Sequence, residues 1–241
     1  MNVGRMIRYL PLFAIVLAPG SAQAADRTYS IGSFDRIRVE GPFDVRLAIG
    51  PSPGARAEGD PHATDDLDIR VEGTTLIVRA GVGGWGEQAA TGAIAAPVVT
   101  VSIATIRSAL VIGGGRLSID GPVRGQRIDL SLTGSGSLSV GGLEADQLFV
   151  TLLGAGDIAL AGHAAKAHLT TSGPGRIAAA PLVADDLTLR LDGNGETRVT
   201  ARYTATVTTT GLGAATVYGT PACTVKAMAG GPISCGKLPA P

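Results

Sequence analysis

Apolar and polar residues alternate along the chain after residue 110, and regularly spaced glycine pairs interrupt the alternation. Apolar residues stand two, four and six positions before many of these pairs and resume four and six positions after the first glycine. A period of two is typical of a β-strand with one buried face, and a Gly-x-Gly between two such strands indicates a tight bend. The bends are Gly113-Gly114-Gly115, Gly134-Ser135-Gly136, Gly154-Ala155-Gly156, Gly173-Pro174-Gly175, Gly193-Asn194-Gly195, Gly211-Leu212-Gly213 and the degenerate Ala229-Gly230-Gly231.

The spacing of the bends indicates a repeat architecture. Their first positions are separated by 21, 20, 19, 20, 18 and 18 residues, and repeats of this length are typical of a solenoid. About five to seven residues link one repeat to the next, which is too short for a crossover helix. Like positions therefore stack as parallel strands about 4.8 Å apart. The sequence predicts an all-β fold, a parallel β-helix of roughly seven coils.

Residues 25–106 are also β in character but less regular. Alternating runs flank Gly41 and Gly73. We interpret this region as early coils or a strand-rich N-terminal cap, because an open solenoid end exposes unpaired backbone groups. Residues 80–97 are rich in glycine and alanine and are predicted to form a surface loop. Residues 107–238 hold the repetitive β-helix and form a single continuous domain with the preceding segment.

Residues 1–24 have the features of a signal peptide. Arg5 and Arg8 precede an apolar run over residues 10–18, and the segment ends in the small-residue site Ala22-Gln23-Ala24. The run is shorter than the roughly 20 apolar residues that a membrane-spanning helix needs. We expect cleavage after this site, a periplasmic, secreted or cell-surface location, and no transmembrane segment in the mature chain.

The composition narrows the classes of function. The chain holds 35 glycines, only 4% aromatic residues and 17% charged residues, with 20 basic side chains balanced by 20 acidic ones. This balance disfavours both a charge-rich disordered chain and a basic nucleic-acid binder, so no nucleic-acid partner is expected. Much of the glycine excess belongs to the bends, which makes it a property of the fold and not of low complexity.

No cofactor, metal or catalytic site is predicted. None of the six bends with both glycines completes Gly-x-Gly-x-x-Gly, and the sequence contains no P-loop. His62, His163 and His168 lack a nearby cysteine or repeated carboxylates at ligand spacing, which makes a zinc site improbable.

The position after each bend forms a column of outward side chains. Asp157, Arg176 and Glu196 occupy it on successive coils, where neighbours stand about 5 Å apart. We favour a solvated salt-bridge ladder, and a surface that contacts a partner or a sugar is the alternative. As a pair of catalytic carboxylates, Asp157 and Glu196 would lie about 10 Å apart, just beyond the range of inverting glycosidases. Arg176 between them would also oppose the raised pKa that a general acid needs.

Trp85, the only tryptophan, lies in the loop at residues 80–97. Its indole ring either packs the loop against the solenoid or contacts a partner. We favour packing and keep Trp85 as a possible partner contact.

The only two cysteines lie in the last coil. The alternation points both Cys223 and Cys235 inward, six positions before and six after the degenerate bend. In an exported protein such a pair suggests a disulfide that closes the C-terminal coil, and two buried free thiols are the alternative.

Several segments of the chain resemble a known family. They are FDRIRVEGPFDVRLAIG at 34–50, VEGTTLIVRA at 71–80, APVVTVSI at 96–103, LTGSGSLSV at 132–140 and TLLGAGDIAL at 151–160. They resemble the bacterial auto-transporter adhesin head domain, also called the GIN domain, over about residues 33 to 236. The resemblance implies an exported β-helical protein with an adhesive or structural role and no established catalytic residues.

The residues and the resemblance together predict a non-catalytic interaction or structural module of the cell envelope. Its expected partner is an unidentified envelope protein or a glycan. The alternative is a carbohydrate-active β-helix enzyme of the polysaccharide lyase or glycosidase kind, which would need a cluster of unpaired carboxylates on one face.

Overall fold

A computed structural model of the chain describes residues 25–65, 67–81 and 96–236. The fold class predicted from the sequence is confirmed, because the chain is an all-β parallel solenoid with 74% strand and about six turns, close to the predicted seven coils. Residues 1–24, where the signal peptide is expected, lie outside the described residues. So does Trp85, with most of the loop that contains it.

The described N-terminal part consists of short strands and one short helix. They are β1 (Ala25–Tyr29), β2 (Arg36–Glu40), β3 (Asp44–Ile49), β4 (Gly54–Gly59), α1 (Pro61–Asp65), β5 (Leu67–Glu72), β6 (Thr75–Ala80), β7 (Val98–Ile103) and β8 (Ser108–Gly113). Within the described ranges, no helix is long and apolar enough to cross a membrane.

Longer strands build the repetitive part. They are β9 (Arg116–Gly134), β10 (Ser137–Gly154), β11 (Asp157–Ser172), β12 (Arg176–Asp192) and β13 (Glu196–Thr209), followed by the shorter β14 (Ala214–Gly219), β15 (Ala222–Ala227) and β16 (Ile233–Cys235). Consecutive long strands pair in parallel from β9 to β13, so each of them forms most of one coil.

Each coil has three sides. In β10 the first side (residues 137–140) follows the glycine bend, a short middle side (142–145) comes next, and the last side (147–154) leads to the following bend. The pairing register shifts between the first and middle sides. The linking residues are therefore part of the stack and bury their own apolar side chains, such as Val123 and Leu143.

The core is a set of columns of medium-sized aliphatic side chains that stack from coil to coil. Burying one such side chain contributes about 1.5–3 kcal/mol to stability. On the last side, the inward residues are those that the alternation predicts, and all of them are buried. They form three columns: Ile128, Leu148, Ala167, Leu187 and Ala205; Leu130, Val150, Leu169, Leu189 and Val207; Leu132, Leu152, Thr171, Leu191 and Thr209.

In the bend of Gly154 and Gly156, the backbone of the coil below approaches both glycines, and the first also has positive φ. Gly154, the first glycine of its bend, has φ of 117°, a conformation that side chains other than glycine rarely adopt. Gly156, the second, is needed for space, because a Cβ there would lie 2.6 Å from the carbonyl oxygen of Gly136 in the coil below. Close backbone stacking is thus as important at the bends as positive φ.

The coils at the N-terminal end do not stack in sequence order. β3 lies between β7 and β9 on the first side, and β2 lies between β6 and β8 on the last side. The coil made by β2 and β3 is therefore interior, although it is the first along the chain. Beyond the coil of β6 and β7, antiparallel strands form the cap, with β5 on β6, β4 on β7 and β1 on β4.

The C-terminal end of the solenoid is open among the described residues. β15 pairs only with β13, and Val225 in its centre is 44% exposed. Cys223 and Cys235 are joined by a disulfide with their Cα atoms 6.2 Å apart. Both occupy inward columns, in register with Ala205 and Val217. Cys223 is nevertheless exposed, because no described coil stacks above it.

Candidate functional site

The charged column predicted from the sequence lies on the first side of the solenoid. Asp157, Arg176 and Glu196 stand in register on β11, β12 and β13. Nε of Arg176 lies 3.3 Å from Oε2 of Glu196, and Arg198 pairs with the same carboxylate. Among the described residues, no ion pair joins Asp157 to Arg176. The column is a partial salt-bridge ladder, and exposed pairs of this kind contribute about 0–1 kcal/mol each.

A continuous groove runs along the corner between the middle and last sides. We call it the corner groove. It has three adjoining segments of about 480, 330 and 560 Å³. The first and second segments share Arg107 and Arg127, and the second and third share Arg124, Gly125 and Gln126. The segments are lined by Arg36, Arg107, Ser108, Arg127 and Asp129; by Thr105, Arg107, Arg124, Gly125, Gln126 and Arg127; and by Arg124, Gly125, Gln126, Glu144, Ala145, Asp146, His163 and Ala165.

Basic and acidic side chains alternate in bands along this corner. Arg124, Glu144 and His163 stand in register on three successive coils. The bands are Arg124 and Arg127 on β9, Glu144 and Asp146 on β10, His163 and Lys166 on β11, and Asp185 and Asp186 on β12. This corner could not be predicted from the sequence, because the register shifts within each long strand change the offset of these positions from the bend.

An ion pair across the bands holds Glu144 in its charged form. Nε of Arg124 donates to Oε2 of Glu144 at 2.7 Å, and Nη2 approaches Oε1 at 3.3 Å. This hydrogen bonding is the main cause that lowers the pKa of Glu144 and raises that of Arg124. His163, whose Nε2 lies 3.3 Å from Oδ2 of Asp185, adds a smaller lowering of the Glu144 pKa. Glu144 is therefore a stable carboxylate and not a proton donor.

At one end of the groove, two arginines share a single weak partner. Nε of Arg36 lies 4.0 Å from Oδ1 of Asp35, and Nε of Arg107 lies 3.6 Å from Oδ2. Both distances exceed hydrogen-bond length. The two side chains are 62% and 72% exposed. Most of the donors of both guanidinium groups therefore face the groove or the solvent, without an acceptor in the described part of the chain.

Arg127 lies beside this pair and is held in place. Its Nε and Nη2 donate to Asp129 at 3.0 and 2.9 Å. Its Cζ lies 4.2 Å from the centroid of the Phe149 ring, which stacks on His168 at 4.8 Å and 10°. Both faces of Phe149 are thus covered, so this ring supports Arg127 and is not a platform for a sugar ring. We call Arg36, Arg107 and Arg127 the arginine end of the groove.

The carboxyl groups of the described residues give little indication of acid catalysis. A general acid needs a raised pKa, whereas the carboxyl groups with a clear shift, Glu144 and Asp192, are both lowered. The described ranges also contain no group of three or more His, Cys, Asp or Glu residues placed to hold a metal ion.

Solved structures share the fold at low sequence identity. A putative adhesin from Bacteroides fragilis NCTC 9343 has a TM-score of 0.79 at 19% identity and covers 90% of this chain and 97% of its own. A putative lipid binding protein from Parabacteroides distasonis ATCC 8503 has a TM-score of 0.72 at 20% identity, with 89% and 97% covered. A putative adhesin from Parabacteroides merdae ATCC 43184 has a TM-score of 0.64 at 17% identity, with the same coverage.

No curated protein matches the chain. The resemblance found in the sequence is nevertheless confirmed by a family model, described as "Putative auto-transporter adhesin, head GIN domain", which matches residues 33–221. That match spans most of the solenoid and its N-terminal cap, and the chain belongs to this auto-transporter adhesin head GIN domain family.

Proposed function

We propose that this protein is an exported, non-catalytic binding module of the cell envelope, and that it contacts an envelope protein or a glycan through the corner groove. The family and the neighbours named as adhesins or binding proteins support a binding role. The observation that carries the proposal is the groove itself, a concave surface lined mainly by polar and charged residues of successive coils. The expected signal peptide would direct export, and cleavage after Ala24 would release the mature chain.

The lining of the groove favours polar ligands. Its central segment is formed by three arginines with Thr105, Gly125 and Gln126. Hydroxyl, amide and guanidinium groups suit the hydroxyl groups of sugars or a polar protein surface. The likeness to the neighbour described as lipid binding lies in the fold at 20% identity and does not guide the choice of ligand for this groove. The column of Asp157, Arg176 and Glu196 and the loop of Trp85 are secondary candidate contacts.

A substitution that fills the groove tests the proposal. A Cβ at Gly125 would have its nearest neighbour at 3.6 Å, an ordinary contact, so Gly125→Trp should place an indole in the groove without disturbing the backbone. The matched control is Gly141→Trp, because a Cβ at Gly141 meets no atom within 4 Å and the residue does not line the groove. Mature protein and both variants would be applied to a glycan array and to envelope extracts.

The proposal predicts binding by the wild type and by Gly141→Trp, loss of binding by Gly125→Trp, and no change in the bound glycan. Release of new reducing ends or unsaturated sugars would instead show a carbohydrate-active enzyme. Absence of any ligand for the wild type would contradict a binding function, and equal binding by all three proteins would move the site elsewhere.

A further inference from the structure

We propose that the arginine end of the corner groove binds an acidic polysaccharide, with its carboxylate or sulfate groups on Arg36 and Arg107. The inference rests on the proposed binding function and adds the chemical class of the ligand. Its basis is a series of three arginines on adjacent coils, two of which, Arg36 and Arg107, have no acceptor at hydrogen-bond distance for their guanidinium groups among the described residues.

The stacking of the coils sets the arginines in a row along the groove. Arg36 on β2, Ser108 on β8 and Asp129 on β9 are in register on three adjacent coils. Arg107 directly precedes Ser108, and Arg127 is two residues before Asp129. Each of the three coils thus contributes one arginine, at a coil spacing of about 4.8 Å. A polymer lying along this part of the groove would meet a cation at each of these three coils.

The positive charge of this row is only partly compensated. Like charges on adjacent strands are destabilising, and here Asp35 is shared by Arg36 and Arg107 at 4.0 and 3.6 Å. Arg127 is the one whose carboxylate partner, Asp129, lies at hydrogen-bond distance. An anion between Arg36 and Arg107 would accept paired hydrogen bonds from a guanidinium fork, the geometry that suits carboxylate and sulfate oxygens.

The rest of the groove favours a sugar chain over other polyanions. Thr105, Ser108 and Gln126 supply hydroxyl and amide groups for sugar hydroxyls. Glu144 and Asp146 on the next coil repel anions, so a densely charged polymer that continued along the groove would be opposed there. The chain also has no net basic charge, unlike a protein that binds nucleic acid through its phosphates. The arrangement fits anionic groups along one short stretch of a polar chain.

The direct test uses oligogalacturonate and its methyl-esterified form, which has the same sugar chain without the negative charge. Calorimetric titration of mature protein at low salt should show binding of the acid form and at least about tenfold weaker binding of the ester. Affinity for the acid form should fall as salt is raised, because the contacts are ionic.

Variants locate the site. Arg36→Ala/Arg107→Ala should weaken binding of oligogalacturonate by about tenfold or more, and Arg36→Lys/Arg107→Lys should bind with intermediate affinity, because lysine keeps the charge but loses the fork. Arg46→Ala/Arg56→Ala is the matched control, since it removes the same charge from exposed arginines outside the groove. The melting temperatures of all variants would be recorded, so that a loss of fold is not taken for a loss of the site.

Equal binding of the acid and ester forms would overturn the inference, as would equal losses in the groove and control variants. Stronger binding to vesicles that contain phosphatidylglycerol than to oligogalacturonate would assign the arginine end to phosphate headgroups instead. Neutral glycan binding that Gly125→Trp abolishes and Arg36→Ala/Arg107→Ala spares would refute the acidic ligand but leave the proposed function standing. If no glycan or envelope protein binds, both proposals fail.

Discussion

At the scale of single residues, the solenoid depends on glycines whose backbone is approached by the coil below. Gly154 combines both constraints, since its φ is 117° and an added Cβ would lie 2.5 Å from the carbonyl oxygen of Gly134. Neither can be relieved by moving a flexible side chain, because the contacting atom is backbone. The bend is therefore rigidly tied to its neighbour in the stack.

Gly154→Ala should destabilise the protein strongly. A residue other than glycine at positive φ costs about 1–3 kcal/mol, and the backbone contact adds to this. For a chain of this size, thermal unfolding should shift down by about 5 °C or more. Gly141→Ala is the control, because that position has open space, and its melting temperature should stay the same or rise slightly. An unchanged melting temperature for Gly154→Ala would contradict this account of the bend.

Asp192 is a residue whose charge contributes to stability in a way that pH can report. A hydrogen bond from Thr210 and, after it, one from Arg190 lower its pKa below the ordinary value of 3.8. A lowered folded-state pKa means that this contribution is present above the ordinary value and is lost as pH falls through the folded-state value. The window is therefore the acid limb, below about pH 4.

Asp192→Asn should lower the melting temperature near neutral pH and lose its effect in acid. The curves of wild type and variant against pH should converge once the pH falls below the folded-state pKa of Asp192, where the wild-type carboxyl is protonated as well. Asp157→Asn serves as the control, since Asp157 has no ion-pair partner among the described residues and its substitution should change the curve little. A difference between wild type and Asp192→Asn that stays constant below that pKa would refute the role of the charge.

At the scale of elements, the repeating unit is a coil with three sides, and the sequence predicts two of them well. Strict alternation beside each bend identifies the inward residues of the first and last sides, such as Leu138 and Leu152. The middle side is shorter and its register shifts from coil to coil, so a fixed offset from the bend does not align it. The corner groove lies beside this side, and for that reason the sequence predicted the charged column of the first side but not the groove.

The disulfide lies in the last coil, whose strands have the fewest pairing partners. β15 and β16 each pair along one edge, so this coil should unfold locally before the rest of the stack. The bond between Cys223 and Cys235 closes a segment with a sequence separation of 12, for which chain entropy gives a stabilisation of about 3 kcal/mol.

Cys223→Ala/Cys235→Ala should therefore loosen the C-terminal coil selectively. Hydrogen exchange of the amides of β14, β15 and β16 should become faster, while that of β10 and β11 stays unchanged as an internal control. Fast exchange throughout the solenoid would mean that the disulfide supports the whole stack, and unchanged exchange of the last coil would mean that it is dispensable.

At the scale of the whole molecule, the stacking order of the coils decides which segments can be deleted without unfolding the protein. The coil of β2 and β3 pairs on both edges, and its inward side chains Ile37, Val39, Val45 and Leu47 are at most 1% exposed. The sequence did not predict this position, because the alternation around Gly41 looks like that of a terminal coil. Only the pairing with strands further along the chain shows that the N-terminal segment is an interior layer of the solenoid.

Deletion of residues 25–49 should therefore unfold the protein, although it shortens the chain only at one end. It would leave β6 and β7 without β2 and β3 and would open both stacks at an interior layer, exposing apolar columns and unpaired strand edges.

Deletion of residues 210–241 is the matched control, because β14, β15 and β16 are peripheral and β13 would simply become the last coil. Circular dichroism and thermal unfolding should show a cooperative β-protein with a lower melting temperature for the C-terminal deletion, and an aggregated or unfolded chain for the N-terminal one. A cooperative β transition after loss of residues 25–49 would mean that the coils on either side can close over the gap, and the interior coil would then not be required for the stack.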